Sequence, residues 1–300
     1  MIFDASANLV VGNAGWVDKG ALWTFDPARR VEKTITVEGA RYLTLRAGAN
    51  GLFRLFHHGG SDHAVSIRRV AESDLELSSV RISNAIAIFA GDMALWEHVD
   101  PVTIVATGSG QRLIKIDALR REGTDLNLAW YTNDTYDLGY QGLTDCMCVD
   151  SARVIVSVQR SSELVILDSN RNQRVGAISL ANRGGNPILR MRTPNEFFAS
   201  DYDTLCRVDV HSLAVLNCAR LQDGGGNNMR QFIGDYDLGW GVCVVARPFS
   251  GDVLRLNPDS FEVLGRAQIG DQPLAVCLVA EDRFVTRDWK TGRASVGQFE

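Results

Sequence analysis

The chain is 300 residues long, with a formal net charge of −5, 45% hydrophobic residues and seven prolines. That is enough apolar material for a large core. Little proline and unblocked charge argue against long disordered stretches, and the acidic balance argues against duplex nucleic acid as a partner. No window approaches the ~18 apolar residues of a membrane helix, and the opening MIFDASANLV lacks the basic start and apolar run of a signal peptide. The expectation is a soluble cytoplasmic protein, or a periplasmic or secreted one if a leader has been removed.

Along the chain the dominant signal is a repeat. An apolar residue followed by a turn residue closes a strand at Phe25-Asp26, Ile67-Arg68, Ile116-Asp117, Leu167-Asp168, Val208-Asp209, Leu256-Asn257 and Val296-Gly297. The second members are spaced by 42, 49, 51, 41, 48 and 40 residues, close to the ~40–45 residues of a four-stranded propeller blade. A polar turn precedes each of these strands: NAGWVDKG, HHGGSDH, TGSGQR, QRSSE, SDYDT, RPFSGD and DWKTGR. An apolar strand precedes each turn: LVV, LFRLF, VTIVA, VIVSV, EFFAS, VCVVA and RFVT. The spacing places the first strand of each unit at Met1–Asp4, Tyr42–Arg46, Ala85–Phe89, Cys146–Val149, Ile188–Met191, Met229–Ile233 and Leu274–Leu278. Several of these runs are apolar without strict alternation, as suits a strand covered on both faces. The Asp or Asn that opens most third-to-fourth strand turns is expected to cap the turn's own backbone.

The pattern predicts one all-β domain over residues 1–300, a seven-bladed β-propeller with four-stranded blades. The last blade is predicted to have three strands. Arg293–Phe299 is then an open edge at which another chain could pair. The stretches ELVILDSNRNQRVGAISL and GDVLRLNPDSFEVLGRAQIGDQPLAVCL, the second with Gly270 and Pro273 before an inner strand, resemble the repeats of seven-bladed β-propellers of the YVTN or NHL type. The resemblance implies the fold and says little about activity. The dipeptide of WD repeats is absent, and the acidic ligand pattern of gluconolactonase-type propellers has no counterpart here.

Six cysteines, Cys146, Cys148, Cys206, Cys218, Cys243 and Cys277, lie in apolar strand-like runs, and buried free thiols are the expectation. Cys206 and Cys218 flank one turn about equally, so they could face each other across two strands at disulfide distance. In a reducing cell they are expected to be free.

The turns joining second to third strands share one end of a propeller with the connections between blades. That end, the top, surrounds the central channel. Ligand contacts are expected there from Trp16, His63, Tyr136, Tyr140, Arg183, Tyr202, Arg230, Arg247, Asp288 and Trp289. The long connection AWYTNDTYDLGYQGLTD can fold over the channel and stack on a ligand. The loops ANRGGNP and QDGGGNN read as tight turns, since neither opens a helix with the spacing of a phosphate cradle. Arg190 and Arg192 share one strand face and would favour a carboxylate or phosphate if they lined the channel. Pairing with aspartates such as Asp145 is the alternative. No metal site or cofactor is expected. The residue types nearest to a metal set are His57, Asp62 and His63 in one hairpin and Asp201 and Asp203 in another, but each turn supplies too few ligands.

The first functional reading is a binding module that holds a polar small molecule, a peptide or a partner protein on the top face and channel, with neither nucleic acid nor membrane as partner. The alternative is a lyase, isomerase or hydrolase at the channel mouth. In that case His57 or His63 would move protons and Arg190 or Arg230 would stabilise an anion. No Ser-His-Asp arrangement, nucleophile elbow or paired glutamates can be placed on the repeat.

Overall fold

The computed structural model describes residues 1–5, 8–13, 21–36, 143–150, 152–158, 163–168, 171, 173–180, 187–221, 232–270, 272–288 and 290–300. It also describes, as backbone strands alone, 42–47, 52–58, 63–69, 78–82, 93–96, 103–108, 112–117 and 122–126.

The described residues are all-β and form seven antiparallel sheets, each built from consecutive strands. The first sheet comprises Ile2–Asp4, Leu9–Asn13, Ala21–Asp26 and Val31–Thr36. The second comprises Tyr42–Ala47, Leu52–His58, His63–Arg69 and Ser78–Ile82, and the third Met93–Trp96, Thr103–Gly108, Arg112–Asp117 and Glu122–Leu126. Leu143–Cys148, Arg153–Val158, Glu163–Asp168 and Gln173–Ser179 make the fourth; Leu189–Thr193, Glu196–Asp201, Thr204–Asp209 and Val215–Arg220 make the fifth. The sixth runs through Asp235–Gly239, Val242–Arg247, Asp252–Leu256 and Val263–Gln268. The seventh has three strands among the described residues, Pro273–Leu278, Arg283–Asp288 and Ala294–Gln298, as the repeat predicts. No helix among the described residues is long and apolar enough to cross a membrane.

Two first strands differ from the expectation. That of the third sheet is Met93–Trp96, and Ala85–Phe89 lies outside the described residues. That of the sixth is Asp235–Gly239, not Met229–Ile233. Its sequence, DYDLG, reads as a turn. It can be a strand because its two carboxylates serve the neighbouring sheet: Asp235 Oδ2 accepts from the Val276 N–H at 3.3 Å and Asp237 Oδ2 from the Leu278 N–H at 2.8 Å. Asp145 in the fourth sheet does the same for the Leu189 N–H at 2.7 Å. A buried acid with such donors satisfies polar groups that would otherwise be costly to bury.

Turn chemistry repeats as closely as the strands. Asp26, Asp209 and Asn257 each accept two backbone N–H groups, from the residues two and three positions on, through Oδ1. Their own carbonyls accept the N–H of Arg30, Leu213 and Phe261 at 2.8, 2.9 and 2.8 Å. Those three residues take the left-handed conformation, with φ of 55°, 58° and 60°. The predicted capping role of this position is therefore met, and at Leu213 and Phe261 the turn also directs an apolar side chain into the core.

The core lies between sheets. One cluster joins the fourth and fifth sheets through Ile155, Ile166, Phe197 and Val208. A second joins the fifth and sixth through Phe198, Leu205, Tyr236 and Leu254. A third joins the sixth and seventh through Val244, Val253, Val276 and Phe284. The fourth joins the seventh to the first: Cys277 and Val285 pack with Val10, Trp23 and Phe25. First strands lie against the next sheet along the whole series, and Pro273–Leu278 of the seventh lies against Ile2–Asp4 of the first.

The expectation of free thiols at Cys206 and Cys218 is corrected. The two are paired directly across Thr204–Asp209 and Val215–Arg220 and form a disulfide. Direct opposition on adjacent antiparallel strands puts the sulfurs within bonding reach. Cys243 and Cys277 are free and buried, and burial raises both thiol pKa values above the ordinary range.

Candidate functional site

The end of the sheets that carries the second-to-third strand turns is best defined between the fifth and sixth sheets. Asp201 pairs with Thr204, so the fifth sheet's turn is the two residues Tyr202-Asp203. Tyr202 is held at φ +55°. A non-glycine residue there costs about 1–2 kcal/mol relative to the usual backbone regions. The Ile233 N–H donates to the Tyr202 carbonyl at 2.7 Å and the Leu221 N–H to that of Asp203 at 2.8 Å, so both ends of the connection into the sixth sheet are tied to this turn.

Three aromatic rings follow one another across the seam. Tyr202 meets Phe232 edge-on at 5.7 Å, and Phe232 meets Phe249 at 6.1 Å and 54°. Phe249, in the sixth sheet's turn, is 42% exposed. Ion pairs flank the two turns that carry Tyr202 and Phe249. Arg220 Nε is 2.7 Å from Asp203 Oδ2. Arg247 is fully buried; it grips Asp252 with Nε and Nη2, and its Nη1 donates to the Leu221 carbonyl at 3.2 Å. Arg266 lies 3.4 Å from the same Asp252.

A second polar group sits where three first strands converge. Arg190 of the fifth sheet pairs with Asp145 of the fourth at 3.6 Å and with Asp235 of the sixth at 3.2 Å, and its guanidinium lies 5.9 Å from the centre of the Tyr236 ring. The Tyr236 hydroxyl lies 2.9 and 2.8 Å from the carbonyl oxygens of Ile188 and Phe198. Burial pushes its pKa well above the ordinary tyrosine value. Asp237 is also raised by burial, against the opposing effect of its two backbone donors, Leu278 and Leu238. Two carboxylates on one guanidinium make a poor anion site, so the paired reading of Arg190 is the one realised. Arg192 is spent differently, on Glu196 and Asp259, both at 2.8 Å.

Of the residues expected to contact a ligand, Tyr202 stands on the ridge. Arg247 is beneath it, without solvent access. Asp288 caps its own turn: Oδ1 accepts from Lys290 N–H, Thr291 N–H and the Thr291 hydroxyl, and Oδ2 from Gln272 N–H. Neither Arg247 nor Asp288 presents a side chain for a ligand in this placement. Trp16, Asp62, Tyr136, Tyr140, Arg183, Arg230 and Trp289 lie outside the described residues, as do the side chains of His57 and His63. In the backbone, His57 faces Ala64, and His63 faces His58 across one hairpin. Asp201 and Asp203 are both buried, and no group of three metal-ligating side chains occurs among the described residues.

Phe232 was missed as a rim residue because its segment reads as a strand. Its signal is the hydrophobe just ahead of the DYD strand. Asp145, Asp235 and Asp237 carry a subtler signal, acidic residues inside first strands. Compared with known proteins, the chain matches no protein-family model and no curated protein.

Proposed function

We propose that the seven sheets close into a seven-bladed β-propeller, and that the chain is a binding module that holds a polar ligand on the rim between its fifth and sixth blades. Closure is supported by the shared core of the seventh and first sheets. It is also supported by the rings of Phe3 and Trp240, 6.4 Å apart although they belong to the first and sixth sheets. Sheets packed ~10 Å apart in a straight stack would keep those rings well separated.

The observation that carries the binding reading is the row of rings Tyr202, Phe232 and Phe249, partly exposed and widest open at Phe249, beside the Arg220–Asp203 and Arg247–Asp252 ion pairs. Ligand sites combine apolar faces with a few fixed polar groups, and Arg247, Asp252 and the Tyr202 turn fix this one before any ligand arrives. The enzyme reading lacks comparable support. Asp237 is the described carboxyl shifted toward a proton donor's range, and its oxygens already accept the Leu238 and Leu278 N–H groups. Bonded to backbone on its own strand and on the next sheet, it reads as an inter-sheet tether.

Thermal stabilisation against organic acids, sugars, short peptides and divalent metals tests the reading. A ligand at a hundred times its Kd adds about 2.7 kcal/mol, on the order of 5–10 °C for a chain of this size. The expected result is a hit that the Tyr202→Ala/Phe249→Ala double variant loses. A hit that survives the double variant, or none in any class, removes the rim from the proposal.

A further inference from the structure

We infer that the edge strand of the seventh sheet, Ala294–Gln298, is the interface through which the chain pairs with a second copy of itself, strand against antiparallel strand. The inference is independent of the rim and goes beyond it. Three features of that edge lead to it.

The first is what the edge lacks. The fourth strands of the other six sheets each carry a feature that discourages strand pairing. In the fourth, fifth and sixth sheets the ladder shifts by one residue, leaving Val175, Leu216 and Leu264 as bulges. The fourth strands of the first, second and third sheets contain charges, among them Lys33, Arg81 and Asp125. Ala294–Gln298 has neither. Its sequence, ASVGQ, contains no charge and no proline, and it pairs with Arg283–Arg287 without a shift in register. A regular, uncharged edge is a template for another strand.

The second is exposure. The third strands of the first, fourth, fifth and sixth sheets lie inside a fourth strand and are buried along most of their length. Ala294–Gln298 is a third strand with no fourth beside it among the described residues, and none of its 5 residues is buried. In an antiparallel ladder successive residues turn N–H and C=O to alternate sides. The Asp288 N–H donates to the Arg293 carbonyl and the Phe299 N–H to that of Asp282, both at 2.9 Å, so Arg293 and Phe299 face inward. Ala294, Val296 and Gln298 therefore turn their backbone groups outward. The Ala294 N–H is taken by Glu32 Oε1.

The third is charge, which selects the occupant and its direction. The edge suits an antiparallel strand with an acidic group by one end and a basic group by the other, and this strand itself meets that description. Arg293 and Glu300 bracket it, both are exposed, and both lie just outside the regular strand, so neither is held to one sheet face. Pairing about a two-fold axis at Val296 sets Val296 against Val296 and Ala294 against Gln298. Arg293 of each copy then stands opposite the partner's Phe299, one residue from the partner's Glu300, where opposite charges attract. A parallel arrangement would put Arg293 beside Arg293 and Glu300 beside Glu300. The self-pair satisfies the outward groups of Val296 and Gln298 reciprocally. At Ala294 the partner's Gln298 carbonyl replaces Glu32 Oε1, and Glu32 keeps its bond from Trp23 Nε1 through the other oxygen.

The test is sedimentation velocity on the full chain from about 5 to 500 µM, the range in which an interface of one short strand pair associates. A monomer–dimer equilibrium is expected. Val296→Pro removes the central outward N–H and leaves the inward ladder bonds in place, so it should weaken the dimer about tenfold or more. Arg293→Glu should weaken it about threefold, and the exchange Arg293→Glu/Glu300→Arg should restore it. The two charge variants change exposed side chains alone and should melt like the parent chain, so they read association even if Val296→Pro fails to fold. A chain that stays monomeric throughout overturns the inference, whether the edge is bare or taken by a strand of another protein. A dimer that ignores Val296→Pro and Arg293→Glu forms elsewhere and overturns it too. Weakening by Arg293→Glu that the exchange fails to restore, or indifference to the charge variants in a dimer lost with Val296→Pro, overturns the antiparallel self-pairing.

Discussion

Asp288 shows how much of this molecule is decided by single side chains spent on backbone. Burial alone would raise its pKa; the Thr291, Gln272 and Lys290 donors outweigh that and hold it below its ordinary 3.8. Asp150 is likewise lowered, burial being outweighed by the Ala152 and Arg153 N–H groups. At Asp209 the Ser212 donors lead. A carboxylate depressed by folding contributes stability that is full above its unfolded value and lost as pH falls through its folded one. These turns therefore weaken below about pH 4, while Asp237, shifted upward, is relieved over the acid range. Asn257 supplies the natural control, since it caps the same kind of turn with an amide oxygen. Asp288→Asn should keep the Oδ1 bonds and lose only the Gln272 bond, costing about 1 kcal/mol. Asp288→Ala should cost about 2 kcal/mol. Urea unfolding at pH 7 and pH 3 checks both. Equal costs at pH 7, or an unchanged acid limb in Asp288→Asn, would remove the carboxylate from this account. Glycine matters where a Cβ has no room: at Gly297 it would enter the Phe284 ring.

At the scale of the element, the hairpin of Thr204–Asp209 and Val215–Arg220 is cross-linked by Cys206–Cys218, a separation of 12 residues. A loop of that length restrains the unfolded chain by about 3 kcal/mol in the chain-entropy account. Cys206 is fully buried, so reductant should leave the native protein oxidised and act only after unfolding. Protein reduced in urea, refolded and kept in reductant should melt on the order of 6–12 °C lower. Identical melting of the oxidised and reduced forms would mean that the cross-link carries none of the hairpin's stability. The third strand of the seventh sheet is bounded differently. The Ala294 N–H donates to Glu32 Oε1 of the first sheet at 3.1 Å, and Trp23 Nε1 donates to the other oxygen at 3.1 Å. A partner strand added along Ala294–Gln298 would have to displace that carboxylate from the Ala294 end of the edge.

For the whole molecule the decisive seam is between the seventh and first sheets. Trp23 is buried there, stacked on Phe25, with the Arg287 guanidinium 5.0 Å from its ring centre. Trp23→Ala should cost about 3–5 kcal/mol and Val285→Ala about 2 kcal/mol. If the seam is packed as described, the pair should be coupled by more than 0.5 kcal/mol in a double-mutant cycle. Strict additivity would mean that the two sheets do not share a core in solution, and the propeller reading would fall with it.

Third strands, second strands and capped turns were legible in the sequence because their causes are local. An apolar run and a following Asp or Asn act within about ten residues of each other. DYDLG, by contrast, is a strand by virtue of its neighbours: it is stabilised by N–H groups some forty residues on, and no pattern inside it says so. The same holds for the rim. Tyr202 could be placed at a turn from its spacing. Whether Arg247 faces water or Asp252, whether two cysteines meet, and whether Phe232 leaves a strand to join an aromatic row all depend on contacts between sheets. Sequence alone therefore set the repeating unit; packing of one unit on the next decided which polar groups were consumed and which aromatic surface was left outside.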